Sequence, residues 1–215
     1  LLEYQLVMQM KGRTVRHIAA VMAAILLASA LAGCQRMSNT YSKHSDSLFD
    51  VFNTLVTVVA YTRSEEEFNS HFAKIRARFQ KLHQLYDIYN DYQGVNNVKT
   101  INDNAGMQPV KVDKELIDLL LFAKDWYRRT GGKTNVAMGA VLRIWHDYRE
   151  EGQNDPEHAK LPPMKDLREA ERHTDIDKVM IDTENSTVYL SDPEMSLDVG
   201  AVAKGYATEI VAREM

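Results

Sequence analysis

A carboxylate, two glycines and a lysine fall within eleven residues, Ser196–Tyr206, reading SLDVGAVAKGY. Ser196–Val199 alternates polar and apolar side chains and reads as the end of a strand. Gly200 then breaks it, and a helical pattern follows through Ile210 and Val211. A strand that ends in Asp198, turns on Gly200 and opens a helix places a carboxylate, unpaired backbone groups and Lys204 in one mouth. Such a mouth suits an anionic ligand or a hard cation. The plainer reading has Asp198 capping the helix, Lys204 solvated and the glycines marking turns. On the residues alone both readings stand.

Two further stretches carry chemistry-bearing residues. Leu85–Gly106, LYDIYNDYQGVNNVKTINDNAG, crowds tyrosine and asparagine into a segment with little periodicity. Tyrosine offers a flat apolar face with a polar tip, so the segment reads either as a wall for a planar heteroaromatic ligand or as a loop packed on its own scaffold. Thr130–Tyr148, TGGKTNVAMGAVLRIWHDY, contains Gly132-Lys133-Thr134. A phosphate-binding loop of the nucleotide-hydrolase type would need glycine at Tyr127 and a preceding strand, so that reading is rejected. What remains there is a turn, an extended Asn135–Met138, Gly139, and a helix through Val141, Leu142 and Trp145. His71 and His83 have no second ligand at metal spacing and read as solvated or core-edge residues.

The elements that must position these groups begin after a leader. Lys11, Arg13, Arg16 and His17 precede Ile18–Ala32, an apolar run of about 15 residues, which fits a signal-peptide core and falls short of the roughly 20 a membrane span needs. The run closes on Leu31-Ala32-Gly33-Cys34, which resembles the lipobox of bacterial lipoproteins; Cys34, the only cysteine, would then carry the lipid. The chain is therefore divided into a signal peptide and lipobox (1–34), a polar tether (35–47) and a folded domain (48–215). Without Glu3, Lys11, Arg13 and Arg16 the remainder holds 23 basic against 29 acidic residues. No basic face runs along it, which argues against nucleic acid as a partner.

Leu48–Thr62 reads as a strand broken near Asn53. Ser64 and Glu67 stand at capping-box spacing before Phe68, Phe72, Ile75, Phe79, Leu82 and Tyr86, one stripe of a long helix. Pro109–Val112 reads as a brief strand, and Asp113 caps a second helix carrying Leu116, Leu120, Ala123 and Tyr127, with Gly131 as its stop. Glu150–Pro163 is a charged surface loop, and Asp175–Leu190 a β-hairpin turning at Thr183–Ser186. Strands and helices without regular βαβ alternation indicate an α+β fold with mixed sheets and packed helices.

Phe52-Asn53-Thr54, the IYNDYQGVNN…INDNAG loop, TNVAMGAVLRIW and SLDVGAVAKGYA, in that order behind a lipobox, together resemble the FAD:protein FMN transferases, the ApbE family. The resemblance implies an ApbE-like fold and a reaction that splits FAD at its diphosphate with the help of magnesium. FMN passes to a Ser or Thr hydroxyl of an acceptor flavoprotein, and AMP leaves. It also implies that Ala201 offers its backbone carbonyl to the metal, that Asp198 and Lys204 contact FAD, and that the Ala137-Met138-Gly139 backbone lines it. Tyr89 would lie near its rings and Phe52 at the edge of the pocket. Asn53 departs from the glycine many members carry, and Lys204 from the Glu of some. By the same resemblance the protein sits in the cell envelope, lipid-anchored on the outer face of the cytoplasmic membrane or in the periplasm. Its partners there are the membrane, FAD and the acceptor flavoproteins.

Met215 falls inside a helical pattern, whereas members of that family continue into a second half with an acidic, Thr-containing metal motif. The expectation is that this is the front part of a transferase, inactive by itself, with its catalytic residues beyond Met215. The alternatives are a relative that hydrolyses FAD to FMN and AMP, and an envelope lipoprotein that only binds a ligand.

Overall fold

The computed structural model describes residues 40–215. The leader, Cys34 and the first part of the tether lie outside the described residues. The first strands, β1 (Ser42–Val51) and β2 (Thr54–Thr62), form a two-stranded sheet. The expected break is a two-residue turn at Phe52 and Asn53, with φ of 54° and 48°. Two consecutive left-handed residues make the mirror-image turn that suits the twist of a hairpin, a turn that usually takes Asn-Gly. Phenylalanine there costs on the order of 1 kcal/mol of backbone strain. The strand starts at Ser42, so the stretch read as tether through Ser47 is partly strand. Ser47 Oγ and Thr57 Oγ1 pair at 3.0 Å, and polar residues suffice on a hairpin with one face in solvent.

Helix α1 (Glu65–Tyr86) begins where expected, with the Glu67 amide donating to Ser64 Oγ at 3.2 Å. The Glu67 carboxylate reaches the Arg63 amide (2.8 Å), one residue beyond the partner of a reciprocal box. Phe68, Phe72, Phe79, Leu82, Leu85 and Tyr86 form its buried stripe. The Tyr/Asn-rich segment that follows contains an unexpected helix, α2 (Val98–Asp103). It is too short to show periodicity and is set by its cap: Asn97 Oδ1 accepts from the Thr100 amide and Thr100 Oγ1 accepts from the Asn97 amide.

After β3 (Val110–Lys111), Asp113 caps α3 (Lys114–Arg129), whose amide at Glu115 donates to Asp113 Oδ1 at 2.9 Å. Helix α3 ends on Gly131 and Gly132, at φ of 61° and 81°, and the Gly132 amide donates back to the Tyr127 carbonyl at 2.8 Å. The glycines are thus a helix stop, in keeping with the rejected phosphate loop. Val136–Met138, expected to be extended, is a single 3-10 turn, because the Asn135 side chain accepts from the Ala137 amide at 2.9 Å. Helix α4 (Gly139–Asn154) follows directly and runs into what read as surface loop.

Helix α5 (Met164–Glu171) leads to the hairpin of β4 (Val179–Asp182) and β5 (Thr187–Leu190), antiparallel with Val179 opposite Leu190. With β3 on the other side of β5 the sheet order is β3-β5-β4. Helix α6 (Gly200–Glu214) closes the described chain. Arg78 on α1 ties it in, pairing with Glu214 of α6 (2.6 Å) and with Glu115 of α3. Leu82, Leu116, Leu119, Val98 and Leu190 are essentially sealed from water between these helices and sheets. Each buried leucine contributes about 2 kcal/mol against exposure. Helices packed on two small antiparallel sheets meet the α+β expectation.

Candidate functional site

The segment Met195–Val199 alternates buried and half-buried residues as a strand would, yet it joins no sheet. Its hydrogen bonds go to side chains and stray backbone groups. Asn102 clamps Leu197 at both ends, accepting from its amide at 2.7 Å and donating to its carbonyl at 3.0 Å. The Ser196 carbonyl accepts from the Gly139 amide (3.1 Å), and the Asp198 amide donates to the Val136 carbonyl (2.8 Å). A carboxamide offers one acceptor and one donor, as one residue of a neighbouring strand does, so the expected strand is corrected to an extended segment paired with an amide side chain. The approach at Gly139 is close: a Cβ there would lie 2.5 Å from the Ser196 carbonyl oxygen.

From this segment Asp198 reaches forward to α6. Its Oδ1 accepts from the Gly200 amide at 2.8 Å, an Asx turn just ahead of the cap residue, which is Val199 and not the Asp198 of the plainer sequence reading. Its side chain also lines a cleft of about 450 Å³, together with Phe52, Tyr89, Ala201 and Lys204. The break expected at Gly200 is absent. Gly200 opens α6 directly, and Ala201 sits in the first turn, its carbonyl running along the helix axis toward the amide four residues on. Lys204 is exposed on the same turn side and has no ion-pair partner among the described residues. A free ammonium group beside a helix start favours an anion.

The opposite wall is aromatic. The Phe52 ring packs edge-on against Phe79 and His83, with centroids 6.4 and 5.5 Å away. Tyr89 is half exposed and lies against the His146 ring at 5.2 Å. Burial pushes the Tyr89 phenol above its ordinary range, and the charge of Asp198 adds to the shift. Of the 137–139 run, Gly139 lines a second cleft of about 330 Å³ with Asn102 and Ser196. Ala137 is fully buried in the core and Met138 half-buried, and neither residue lines either cleft. A third cleft, about 460 Å³, lies between Trp145, Arg149 and Leu161. Tyr89, Leu142 and Asp198 border all three.

Sequence reasoning missed several residues of the first cleft, Arg149 among them. His83, read as core-edge, borders it, and so does Asp87. Asp87 is only 7% exposed. Its Oδ1 accepts from the amides of Tyr89 (2.7 Å) and Asn90 (3.2 Å), and its Oδ2 from Asn90 Nδ2 (2.9 Å) and the Tyr92 hydroxyl (2.7 Å). Burial works to raise its pKa, but the hydrogen bonds from Asn90, Tyr89 and Tyr92 prevail and hold it below the usual carboxylate value. The Tyr92 phenol is pushed up to about 12, by burial first and by Asp87 second. The available signal was an aspartate two residues before Tyr89, the spacing of an Asx turn.

A divalent cation of magnesium's hardness takes about six oxygen ligands. Among the described residues no group of three or more His, Cys, Asp or Glu side chains is placed to hold a metal. Asp198 and the Ala201 carbonyl supply two oxygens at most, which does not fit a complete magnesium site.

A family model described as the ApbE family matches residues 52–215. The chain is 29% identical over 147 residues to the FAD:protein FMN transferase of Klebsiella pneumoniae (strain 342), covering 66% of this chain and 43% of that protein. It is 27% identical over 169 residues to the FAD:protein FMN transferase of Treponema pallidum (strain Nichols), covering 76% and 44%. Among solved structures, the ApbE protein of Thermotoga maritima superposes with a TM-score of 0.63 at 24% identity, over 80% of this chain and 52% of that one. The flavin transferase ApbE of Vibrio cholerae gives 0.65 at 16% identity, over 81% and 53%. The likeness to the solved structures is one of fold. The chain spans about half the length of the relatives it matches.

Proposed function

The chain belongs to the ApbE family, and from that premise we propose that it forms the FAD-holding part of a magnesium-dependent FAD:protein FMN transferase. The reaction moves FMN from FAD to a Ser or Thr hydroxyl of an acceptor flavoprotein. One observation supports this most. Residues as far apart as Phe52, Tyr89, Asp198 and Lys204 border a single cleft, aromatic on one side and cationic on the other. A flavin dinucleotide needs that pairing: flat apolar faces for its rings and positive charge for its diphosphate.

In this reading the acceptor hydroxyl oxygen attacks the FMN-side phosphorus. The bond from that phosphorus to the bridging oxygen breaks, AMP departs with the bridging oxygen, and the hydroxyl proton goes to solvent or a base. Phosphoryl transfer asks chiefly for positioning and for neutralising charge. Lys204 and the start of α6 face the diphosphate, while Phe52 and Tyr89 confine a ring. Magnesium, when bound, neutralises the diphosphate charge. The described residues do not complete its site.

The proposal includes anchorage at Cys34 to an envelope membrane, on the outer face of the cytoplasmic membrane or in the periplasm. The basic lead, the apolar run and the sole cysteine at its end support it. Cys34→Ala is expected to release the protein into the soluble fraction; unchanged membrane association refutes the anchor. For the chemistry, a full-length protein that contains this chain is incubated with FAD, magnesium and an acceptor peptide bearing Ser or Thr, this chain alone being expected to give no turnover. Flavin covalently bound to the peptide is the expected result. AMP without labelled peptide makes the protein a FAD hydrolase instead, and neither product refutes both.

A further inference from the structure

The hairpin turn at Phe52 and Asn53 is strained, with two successive non-glycine residues at positive φ, and it hangs over the cleft. A strained turn persists only where its surroundings hold it. One tie is visible: the Phe52 amide donates to His83 Nδ1 at 3.3 Å. A backbone amide only donates, so Nδ1 must accept and the imidazole proton sits on Nε2. That nitrogen faces the Tyr92 hydroxyl at 3.4 Å, at the long limit of a hydrogen bond. The hydroxyl spends its own proton on Asp87 Oδ2 at 2.7 Å and accepts with its oxygen. The chain of donors therefore runs one way, from Phe52 through His83 and Tyr92 to Asp87.

Asp87 faces two ways. Its Oδ2 terminates that chain, while its Oδ1 holds the Tyr89 amide at 2.7 Å. We propose that Asp87 is a positioning residue that fixes both aromatic walls of the cleft: Tyr89 directly through the Asx turn, and Phe52 through Tyr92 and His83. This rests on the reading of the cleft as a flavin site, and it gives His83, Asp87 and Tyr92 a role in shaping that cleft.

The polarity of the chain makes the proposal specific. In Asp87→Asn the oxygen is free to keep the Tyr89 and Asn90 amides, while the new NH2 faces the Tyr92 hydroxyl. Tyr92 must then accept from the amide and turn its own proton toward His83 Nε2. The imidazole proton moves to Nδ1, where it meets the Phe52 amide donor to donor. A single carboxylate-to-amide change thus releases the hairpin tip without touching it. His83→Gln does the same by another route, since its amide nitrogen stands at Nε2 and nothing accepts at Nδ1. His83→Asn places an oxygen at Nδ1 and rescues the tie.

The test combines two readouts on purified protein: amide hydrogen exchange at Phe52 and Asn53, and FAD affinity from quenching of flavin fluorescence. Thermal midpoints serve as the folding control. In Asp87→Asn and His83→Gln, tip exchange quickens and FAD affinity falls about 5- to 10-fold, the worth of one hydrogen bond. His83→Asn recovers most of both. Unchanged tip exchange in Asp87→Asn and His83→Gln overturns the relay. Quickened exchange with wild-type FAD affinity overturns the assignment of the tip as a wall of the ligand site. A wild-type protein that quenches no flavin fluorescence overturns the flavin reading of the cleft, and exchange alone then judges the relay.

Discussion

Replacing Asn102 by alanine removes a side chain that clamps the backbone of Leu197, and it should disturb the cleft more than most changes at its rim. Asn102 Oδ1 takes the Leu197 amide and Nδ2 gives to the Leu197 carbonyl, at 2.7 and 3.0 Å. Leu197 is 1% exposed, so water does not replace either partner without opening the segment. Each orphaned buried backbone group costs about 1–3 kcal/mol, which gives about 2–5 kcal/mol for the pair after some relaxation. With a urea slope of about 2 kcal/mol per molar, the unfolding midpoint falls by about 1–2.5 M. Asn102→Asp is no rescue at neutral pH, because its carboxylate faces the Leu197 carbonyl with no proton to offer. Asn185→Ala supplies the control: its bonds to Asp182 are exposed, and its cost is about 0.5 kcal/mol. Urea titration by circular dichroism and exchange of the Leu197 amide are the measurements. A midpoint within about 0.3 M of wild type, with Leu197 exchange unchanged, refutes the clamp.

Other expectations concern the rim and its supports. Gly139→Ala drives a methyl into the Ser196 carbonyl and costs about 1–3 kcal/mol, read as a lowered thermal midpoint; a neutral result means the backbones at that crossing yield freely. Asp198→Ala weakens FAD binding, whereas Asp166→Ala, on exposed α5, leaves it unchanged; equal small effects at both remove the cleft from consideration. Asp192 is buried, which raises its pKa, but hydrogen bonds from Lys178 and His173 outweigh this and lower it to about 2. A depressed carboxylate stabilises the fold above its unfolded pKa and loses that contribution as pH falls toward its folded value. Acid unfolding below about pH 4 should therefore carry up to about 2 kcal/mol from this residue. Asp192→Asn flattens that limb, and an unaltered acid profile refutes the assignment.

The helices were legible because their signals are local. Ser64 and Asp113 announce α1 and α3, and aromatic and leucine residues at three- and four-residue steps carry the buried faces. Helix α2 was not legible, being six residues long and fixed by the Asn97–Thr100 box rather than by an apolar stripe. The Asn135 side chain likewise turned an expected extended run into a 3-10 turn. Met195–Val199 misled for a subtler reason. Its alternation reports two-sided burial faithfully, but the strand partner is a side chain 95 positions away in the sequence. The cleft was legible at Asp198, Lys204, Phe52 and Tyr89. It was not at His83 and Asp87, whose roles depend on which atoms face one another across the end of α1.

The distance between Asn102 and Leu197 also bears on how the site comes into being. A polypeptide that emerges amino end first, from a ribosome or through a membrane pore, displays Phe52 and Tyr89 long before Leu197. At about 5–20 residues per second, synthesis alone separates the two halves of the clamp by roughly 5–20 s. During that interval the aromatic wall has no cationic counterpart, and the amide of Asn102 has nothing to grip. The anion-facing rim is thus the last part of the pocket to arrive, and a nascent chain paused before Leu197 would carry half a pocket.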